Sequence, residues 1–400
     1  MNFIAAAKPG FQQPAARNFA SCGGAAADVA RQFADDVDAK ARFPHEAIGE
    51  LRKQRLLGMM VPAGLDGDGA TVSETAEVCY TLGRACASAA MIFAMHQTKV
   101  ACIVNHGKGA AWHDHVLRRL DREQLLFASS TTEGIGGGNV RSSAGAIQRD
   151  GETISLQRDA SVISYGAEAD GVVTTARRAD DAEASDQVLA VFLKEDYELV
   201  PTGGWDTLGM RGTASSGFRL TARGVAGQLL PVPYDRIHSR TMTPVAHLLW
   251  SSVWAGIAAA AVQKAEIFVR RALRGPGGQM PPGAAHLNAA KASLRLLRNL
   301  IATSLARYEI CHGDDSLSAG FDYQTALTLT KVQASELAVE TVMSCYRTCG
   351  LAGYRNDGEV SIGRHLRDVL SSPIMINNDR ILASMTNTSL MSGVPATLAD

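Results

Sequence analysis

Residues 205–220 read WDTLGMRGTASSGFRL, and the organisation of the whole chain follows from where this stretch sits. Its end opens FRLTARGV (218–225), the last of several short runs that include LLFASS (125–130), GAIQRD (145–150), TISLQRD (153–159), SVIS (161–164), GVVTTARR (171–178) and QVLAVFLK (187–194). Gly, Asp and Ser turns separate these runs, and alternation of period two, as in Thr153-Ile154-Ser155-Leu156-Gln157, predicts an antiparallel sheet or barrel. On the N-terminal side, from about Ala27 to His115, apolar residues such as Val29, Phe33, Val37, Phe43, Ile48 and Leu51 recur at helical spacing, and Ser73 to His106 reads as a further helical pair. On the C-terminal side, helical pattern covers Pro244 to Leu273, Ala285 to Glu309, Asp322 to Cys349 and the chain from Arg364 onward. The Pro- and Gly-rich RGPGGQMPPG (274–283) must be a loop between two of these helices, which are expected to pack as an antiparallel bundle. The expected domains are therefore helical over 1–124, β over 125–235 and helical again over 236–400.

At 400 residues, 46% hydrophobic and 20% charged, the chain can bury the cores of two or three such domains. Lys and Arg number 39 against 40 Asp and Glu, so there is no overall field to draw in nucleic acid or an anionic membrane. Any anionic ligand must be met by local groups. The seven cysteines are an odd number with no CxxC pair, which reads as buried free thiols in a reducing compartment. The opening MNFIAAAKPGFQQPAARNFASC lacks the charged start and sustained apolar core of a secretory signal, so a cytoplasmic location is expected. The longest apolar stretch, Leu248 to Val262, is shorter than the ~20 residues of a membrane span and reads as a buried helix, so no membrane association is expected. His113 and His115 read as a solvated HxH turn without a third ligand, and no metal site is expected.

Four segments carry chemistry: TTEGIGGGNVRSS (131–143), LQRDASVISYGAEAD (156–170), WDTLGMRGTASSGFRL (205–220) and CYRTCGLAGYRNDGEVSIGRHLRD (345–368). In this order they resemble the TEPGxGSD, LNGxKxFISxxxxAD, WxxLGMRGTxS and QxxGGxGY…RxxRD segments of the acyl-CoA dehydrogenase superfamily, which includes a related group of flavin monooxygenases. The resemblance implies the acyl-CoA dehydrogenase-like fold, of class α+β, with an N-terminal α-helical domain, a middle antiparallel β-barrel domain and a C-terminal four-helix bundle. It implies FAD as cofactor. On the family register Thr131 and Thr132 contact the flavin, Gly137 is the second Gly of the turn, and Gly138 stands where a Ser usually meets flavin and acyl thioester. Val162 replaces the aromatic residue at the flavin face, and Ser164 is the hydroxyl expected near its N5. Gly350, with Arg347 in the usual Gln place, would lie along the FAD pyrophosphate of a neighbouring subunit, which implies a homodimer or homotetramer. A guanidinium beside a pyrophosphate is electrostatically sensible. The Gly run is not a dinucleotide fingerprint, because Asn139 occupies the third Gly position and a strand rather than a helix follows.

The family's dehydrogenases remove an α-proton with a Glu while the flavin accepts hydride from the β-carbon. Here the residue at the interval of that Glu is Ile376, and the alternative location, around Ala272 and Leu273, offers no carboxylate either. Asp379 and Glu133 are the remaining candidates for a recruited base. The expected activity is α,β-dehydrogenation of an acyl thioester on CoA or a carrier protein, with electron-transfer flavoprotein or O₂ as acceptor. Flavin-dependent oxygenation, which needs no α-proton base, and a flavin-binding scaffold without turnover stand as alternatives. His96 resembles a family histidine near the substrate cavity, with a hydrogen-bonded core histidine as the other reading. Asn378 aligns with a cofactor-contacting Thr, with a helix cap as the other reading.

Overall fold

The computed structural model describes residues 17–133, 140–275 and 277–391. Asn18 caps the first helix, α1 (Phe19–Lys40), by accepting from Ser21 N at 3.0 Å, and the helix buries a stripe of Ala26, Ala27, Ala30, Ala34 and Val37. After α2 (His45–Lys53), a capping box between Thr71 and Glu74 starts α3 (Val72–Gly83), followed by α4 (Ala87–Gly107) and α5 (Ala111–Glu123). The HxH pair lies on α5 with His113 buried, so the expected solvated turn is corrected: Val116, Leu117 and Leu120 continue the same apolar face.

The strands are β1 (Phe127–Ser130), β2 (Gln148–Asp150), β3 (Thr153–Ile163), β4 (Gly171–Arg177), β5 (Gln187–Leu193), β6 (Tyr197–Pro201) and β7 (Ser216–Val225). They form two sheets, ordered β1-β4-β5 and β2-β3-β7-β6. β1 runs parallel to β4, with Phe127 opposite Gly171, while the other pairings are antiparallel. The expected antiparallel barrel is thus corrected to two sheets with one parallel pair. The register of β3 against β7 slips between Ala160 and Ile163, which takes Ser161 and Val162 out of the ladder.

A short helix α6 (Tyr234–Ile237) passes through a π-helical turn, His238–Met242, into the 32-residue α7 (Thr243–Arg274). There follow α8 (Ala285–Cys311), α9 (Asp315–Ser318), α10 (Phe321–Cys349), α11 (Leu351–Tyr354), α12 (Gly363–Val369) and α13 (Asn378–Met391). Helices α7, α8 and α10 pack side by side, and α13 lies against α10. α7 crosses α3 at two glycines: a Cβ on Gly83 would stand 2.5 Å from Val253 O, and one on Gly256 would stand 2.4 Å from Tyr80 O. Ala87–Gly107 and Tyr234–Arg274 are each long and apolar enough to cross a membrane, yet 94% of the apolar window of each is covered by this chain.

The 205–220 stretch ties these layers together. Trp205 Nε1 donates to Met210 O at 3.0 Å, and Met210 N donates to Asp368 Oδ1 on α12 at 2.8 Å. Arg211 Nε donates to Asp38 O on α1 at 2.8 Å, and Gly212 N donates to Ser88 Oγ on α4 at 3.2 Å.

Candidate functional site

Where α4, the end of β1, the β3 irregularity, the π-helical turn, α7 and the turn before α13 converge, they enclose a cavity of about 220 Å³. Thr131, Thr132, Val162, Ser164 and Ile376, all singled out from the sequence, share its lining. Ser164 Oγ accepts from Ser215 Oγ at 2.8 Å, and Ser215 Oγ is 2.8 Å from Thr213 Oγ1, which donates to Met210 O at 2.9 Å. The 205–220 joint therefore holds a hydroxyl chain that ends at the cavity wall, with the Ser164 hydroxyl proton left for a ligand acceptor.

The lining also contains Lys99, His238 and His247, which the sequence reading passed over. Burial pushes the Lys99 ammonium down to about 8, the His238 imidazole down to about 3 and the His247 imidazole down to about 4. At neutral pH the lysine is largely charged and both imidazoles are neutral. His247 Nδ1 is 3.3 Å from Leu327 O, so that nitrogen carries the proton, while the His238 ring lies 3.2 Å from Thr243 Oγ1. A lysine inside the apolar FAMHQTKVACIV run and a histidine in the apolar start of α7 were the available signals for two of the three. His238 gains its place from the π-helical turn, a feature common at functional sites and without a signature in the sequence.

Other expected site residues lie elsewhere. His96 is fully buried with both ring nitrogens committed to backbone: Nε2 donates to Leu57 O at 2.9 Å and Nδ1 accepts from Phe127 N at 3.0 Å. It is a core histidine, and its expected substrate contact is corrected. Glu133 accepts from Ala144 N at 2.5 Å and Gly145 N at 3.1 Å and lies 3.7 Å from buried Arg158 Nε, an arrangement that organises a loop and leaves it outside the cavity lining. Asp379 is exposed in the first turn of α13 and likewise does not line the cavity. Asn378 spends its amide on Lys331, Ser335 and Glu336, so its expected cofactor contact is corrected to a helix-packing role. Arg347 and Gly350 are exposed at the C-terminal end of α10, outside the cavity lining. Gly137 and Gly138 lie outside the described residues.

Ile376 and Asn377 both adopt left-handed backbone, φ 60° and 57°, which is uncommon for a β-branched residue and tolerated by Asn. Asn377 Oδ1 caps α13, accepting from Asp379 N at 3.0 Å and Arg380 N at 3.4 Å. Asn377→Ala is expected to lower stability by about 1–2 kcal/mol through loss of the cap and the left-handed preference, read as a fall in denaturation midpoint. An unchanged midpoint would show that the turn presenting Ile376 is held by other contacts.

Residues 19–120 match the acyl-CoA dehydrogenase N-terminal domain family. Over 363 residues the chain is 25% identical to cyclohex-1-ene-1-carbonyl-CoA dehydrogenase of Geobacter metallireducens, spanning 89% of this chain and 92% of that one. The fold matches that of FMN-bound TdsC, a dibenzothiophene monooxygenase from Paenibacillus sp. A11-2, with a TM-score of 0.82 at 17% identity, covering 94% of this chain and 98% of that one. It also matches a nitrososynthase from Micromonospora carbonacea var. africana, with a TM-score of 0.79 at 22% identity over 96% and 98% of the two chains. The N-terminal helices thus match the acyl-CoA dehydrogenase N-terminal domain family, and over most of its length the chain is similar to an acyl-CoA dehydrogenase and shares the fold of these neighbours.

Proposed function

We propose that this chain is a flavin-dependent oxidoreductase that oxygenates a small organic substrate in the cavity beside Ile376. The carrying observation is chemical: among the described residues no carboxylate lines the cavity, and the neighbouring stretch GIGGGN (134–139) contains none. Removing a proton α to a carbonyl needs a base within reach whose pKa is near the working pH. The neutral imidazoles of His238 and His247, pushed down to about 3 and about 4, are poor bases, and Lys99, pushed down to about 8, is mostly in its protonated, donating form at neutral pH. General-base catalysis is worth ~10² to 10⁴ in rate, and at neutral pH only the minor neutral fraction of Lys99 could supply it for dehydrogenation in this cavity.

The residues present fit a flavin ring. Thr131, Thr132 and Ser164 offer hydroxyls along one wall, the Ser164 proton is uncommitted, and Val162 leaves open space where a larger side chain would press on the ring. When bound, a flavin supplies the redox chemistry, either as hydride acceptor or, once reduced, in oxygen activation. The chain's own part is to hold the ring against Ser164, to exclude water with Met95, Met242, Trp250 and Met375, and to present donors rather than bases to the substrate. The cofactor is FAD on the strength of the 345–368 segment, where exposed Arg347 and Gly350 are available to a second subunit's pyrophosphate in a homodimer or homotetramer. FMN, as in the TdsC structure, is the alternative, and extraction with chromatography separates the two. The likeness to a CoA-ester dehydrogenase over most of the chain favours a second reading, α,β-dehydrogenation of an acyl thioester with electron-transfer flavoprotein or O₂ as acceptor.

Anaerobic mixing of the yellow protein with butyryl-, octanoyl- and cyclohexanecarbonyl-CoA is expected to leave the visible absorbance of the oxidised flavin unchanged. Photoreduced protein exposed to O₂ with indole or methyl phenyl sulfide is expected to give an oxygenated product. Bleaching by any of the CoA esters would overturn the oxygenase reading in favour of the second.

A further inference from the structure

Lys99 is 4% exposed, on a helix whose neighbouring residues Ala94, Val100, Ala101, Cys102 and Ile103 are fully buried. Its ammonium donates to Met242 Sδ at 3.4 Å, and it forms no ion pair among the described residues. A thioether is a weak acceptor and leaves most of the hydrogen-bonding capacity of an ammonium unused. Taking such a group out of water costs several kcal/mol unless an opposite charge repays it. Lys99 and Met242 both line the cavity, and among the described residues that line it there is no carboxylate to serve as counter-ion. His238, also in the lining, is held neutral chiefly by burial, with the Lys99 charge acting in the same direction. The rest of the lining joins the hydroxyls of Ser129, Thr131, Thr132 and Ser164 to apolar side chains that include Met95, Val162, Trp250 and Met375.

We propose that Lys99 is the anchor for one anionic oxygen group, of carboxylate type, on a substrate whose body is otherwise small and apolar. The ammonium repays its desolvation only when that group is bound, so it selects acids over their neutral isosteres. The Thr98 hydroxyl is committed to Ala94 O at 2.8 Å, so Thr243, also in the lining, is the hydroxyl that can help to complete the hydrogen bonding of such an oxyanion. This inference rests on the cavity being the substrate site of the proposed function and specifies the chemical class that the site takes.

Benzoate and benzamide, which share shape and differ in charge, test it by calorimetric titration of the flavin-loaded protein at neutral pH. Charge-assisted hydrogen bonds are worth ~1.5–3 kcal/mol, so benzoate is expected to bind at least about tenfold more tightly than benzamide. Lys99→Met should bring that ratio close to one, and Lys99→Arg should keep it above one. A ratio near one in the wild-type protein, no measurable benzoate binding, or a preference that survives in K99M would each overturn the proposal. The wild-type ratio is decisive even if K99M does not fold. Should CoA esters bleach the flavin while the benzoate preference still depends on Lys99, the oxygenase reading falls and the anchor stands. If they do not bleach it and the preference is absent, the anchor falls and the oxygenase reading stands.

Discussion

Gly209→Ala is expected to destabilise the protein by on the order of 4 kcal/mol or more, because the added methyl would meet backbone rather than a side chain that can rotate away. An ideal Cβ at this position would stand 2.0 Å from Arg367 O, 2.3 Å from Arg367 C and 2.7 Å from Asp368 N. Restoring van der Waals contact would require the 205–215 loop and α12 to separate by about 1 Å or more, a displacement that close-packed interiors resist. Such a shift would open the 2.8 Å bond from Met210 N to Asp368 Oδ1. Asp368 is 4% exposed, and burial pushes its carboxyl up to about 6, so the loss of its backbone donor would leave a costly buried acid. Gly204 has nothing within 4 Å of an added Cβ, and Gly204→Ala should stay within about 0.5 kcal/mol of wild type. Thermal or urea unfolding followed by circular dichroism makes the comparison. A G209A midpoint equal to that of G204A would show that α12 and the loop are not rigidly joined.

That joint explains why the 205–220 stretch was so informative in the sequence. Gly209 is required by backbone contact, Trp205 and Thr213 close hydrogen bonds onto Met210 O, and Arg211 and Gly212 bind α1 and α4, so each residue type is demanded at its own place. The helices of the flanking regions were legible because their apolar stripes face one core, as Ala26, Ala30, Ala34 and Val37 do on α1. The sheet topology was less so. β4 and β5 are buried on both faces and read as continuous apolar runs, which carry no period-two signal for parallel or antiparallel pairing.

The site divides in the same way. Thr131, Thr132, Val162 and Ser164 were found because they belong to short segments of fixed spacing that meet at one wall. Lys99 and His247 were overlooked because each sits in an apolar helical run where its neighbours all serve the core. Sequence spacing does not reveal which turn of a buried helix faces a cavity. Asn378 misled for the converse reason: it lies near the cavity in sequence, two residues after Ile376, but the left-handed turn at Ile376 and Asn377 sends it into the helical bundle. There it meets a group that the sequence did not bring to notice.

Asn378→Leu is expected to cost about 3–5 kcal/mol, the penalty for leaving a buried charge without its partner. Lys331 is fully buried on α10 and donates to Asn378 Oδ1 at 2.7 Å, with its ammonium 5.7 Å from the centre of the Trp254 ring. Asn378 Nδ2 in turn donates to Ser335 Oγ at 2.9 Å and Glu336 Oε1 at 2.8 Å. Burial pushes the Lys331 ammonium down to about 8, below its ordinary 10.5. The unfolded chain therefore binds more protons than the folded one between these values, and stability gained from releasing that proton rises with pH across the interval. Removing the Oδ1 acceptor lowers the folded value further, so the deficit of the variant should be full at low pH and shrink as pH climbs toward about 8, where the lysine can stay neutral in both proteins. Lys331→Met in the same chain should recover most of the loss, since the buried ammonium that needed the acceptor is then gone. Urea unfolding of the two single variants and the double variant gives the coupling directly. If N378L unfolds as wild type does but releases flavin, Asn378 serves the cofactor after all and the packing role assigned to it fails.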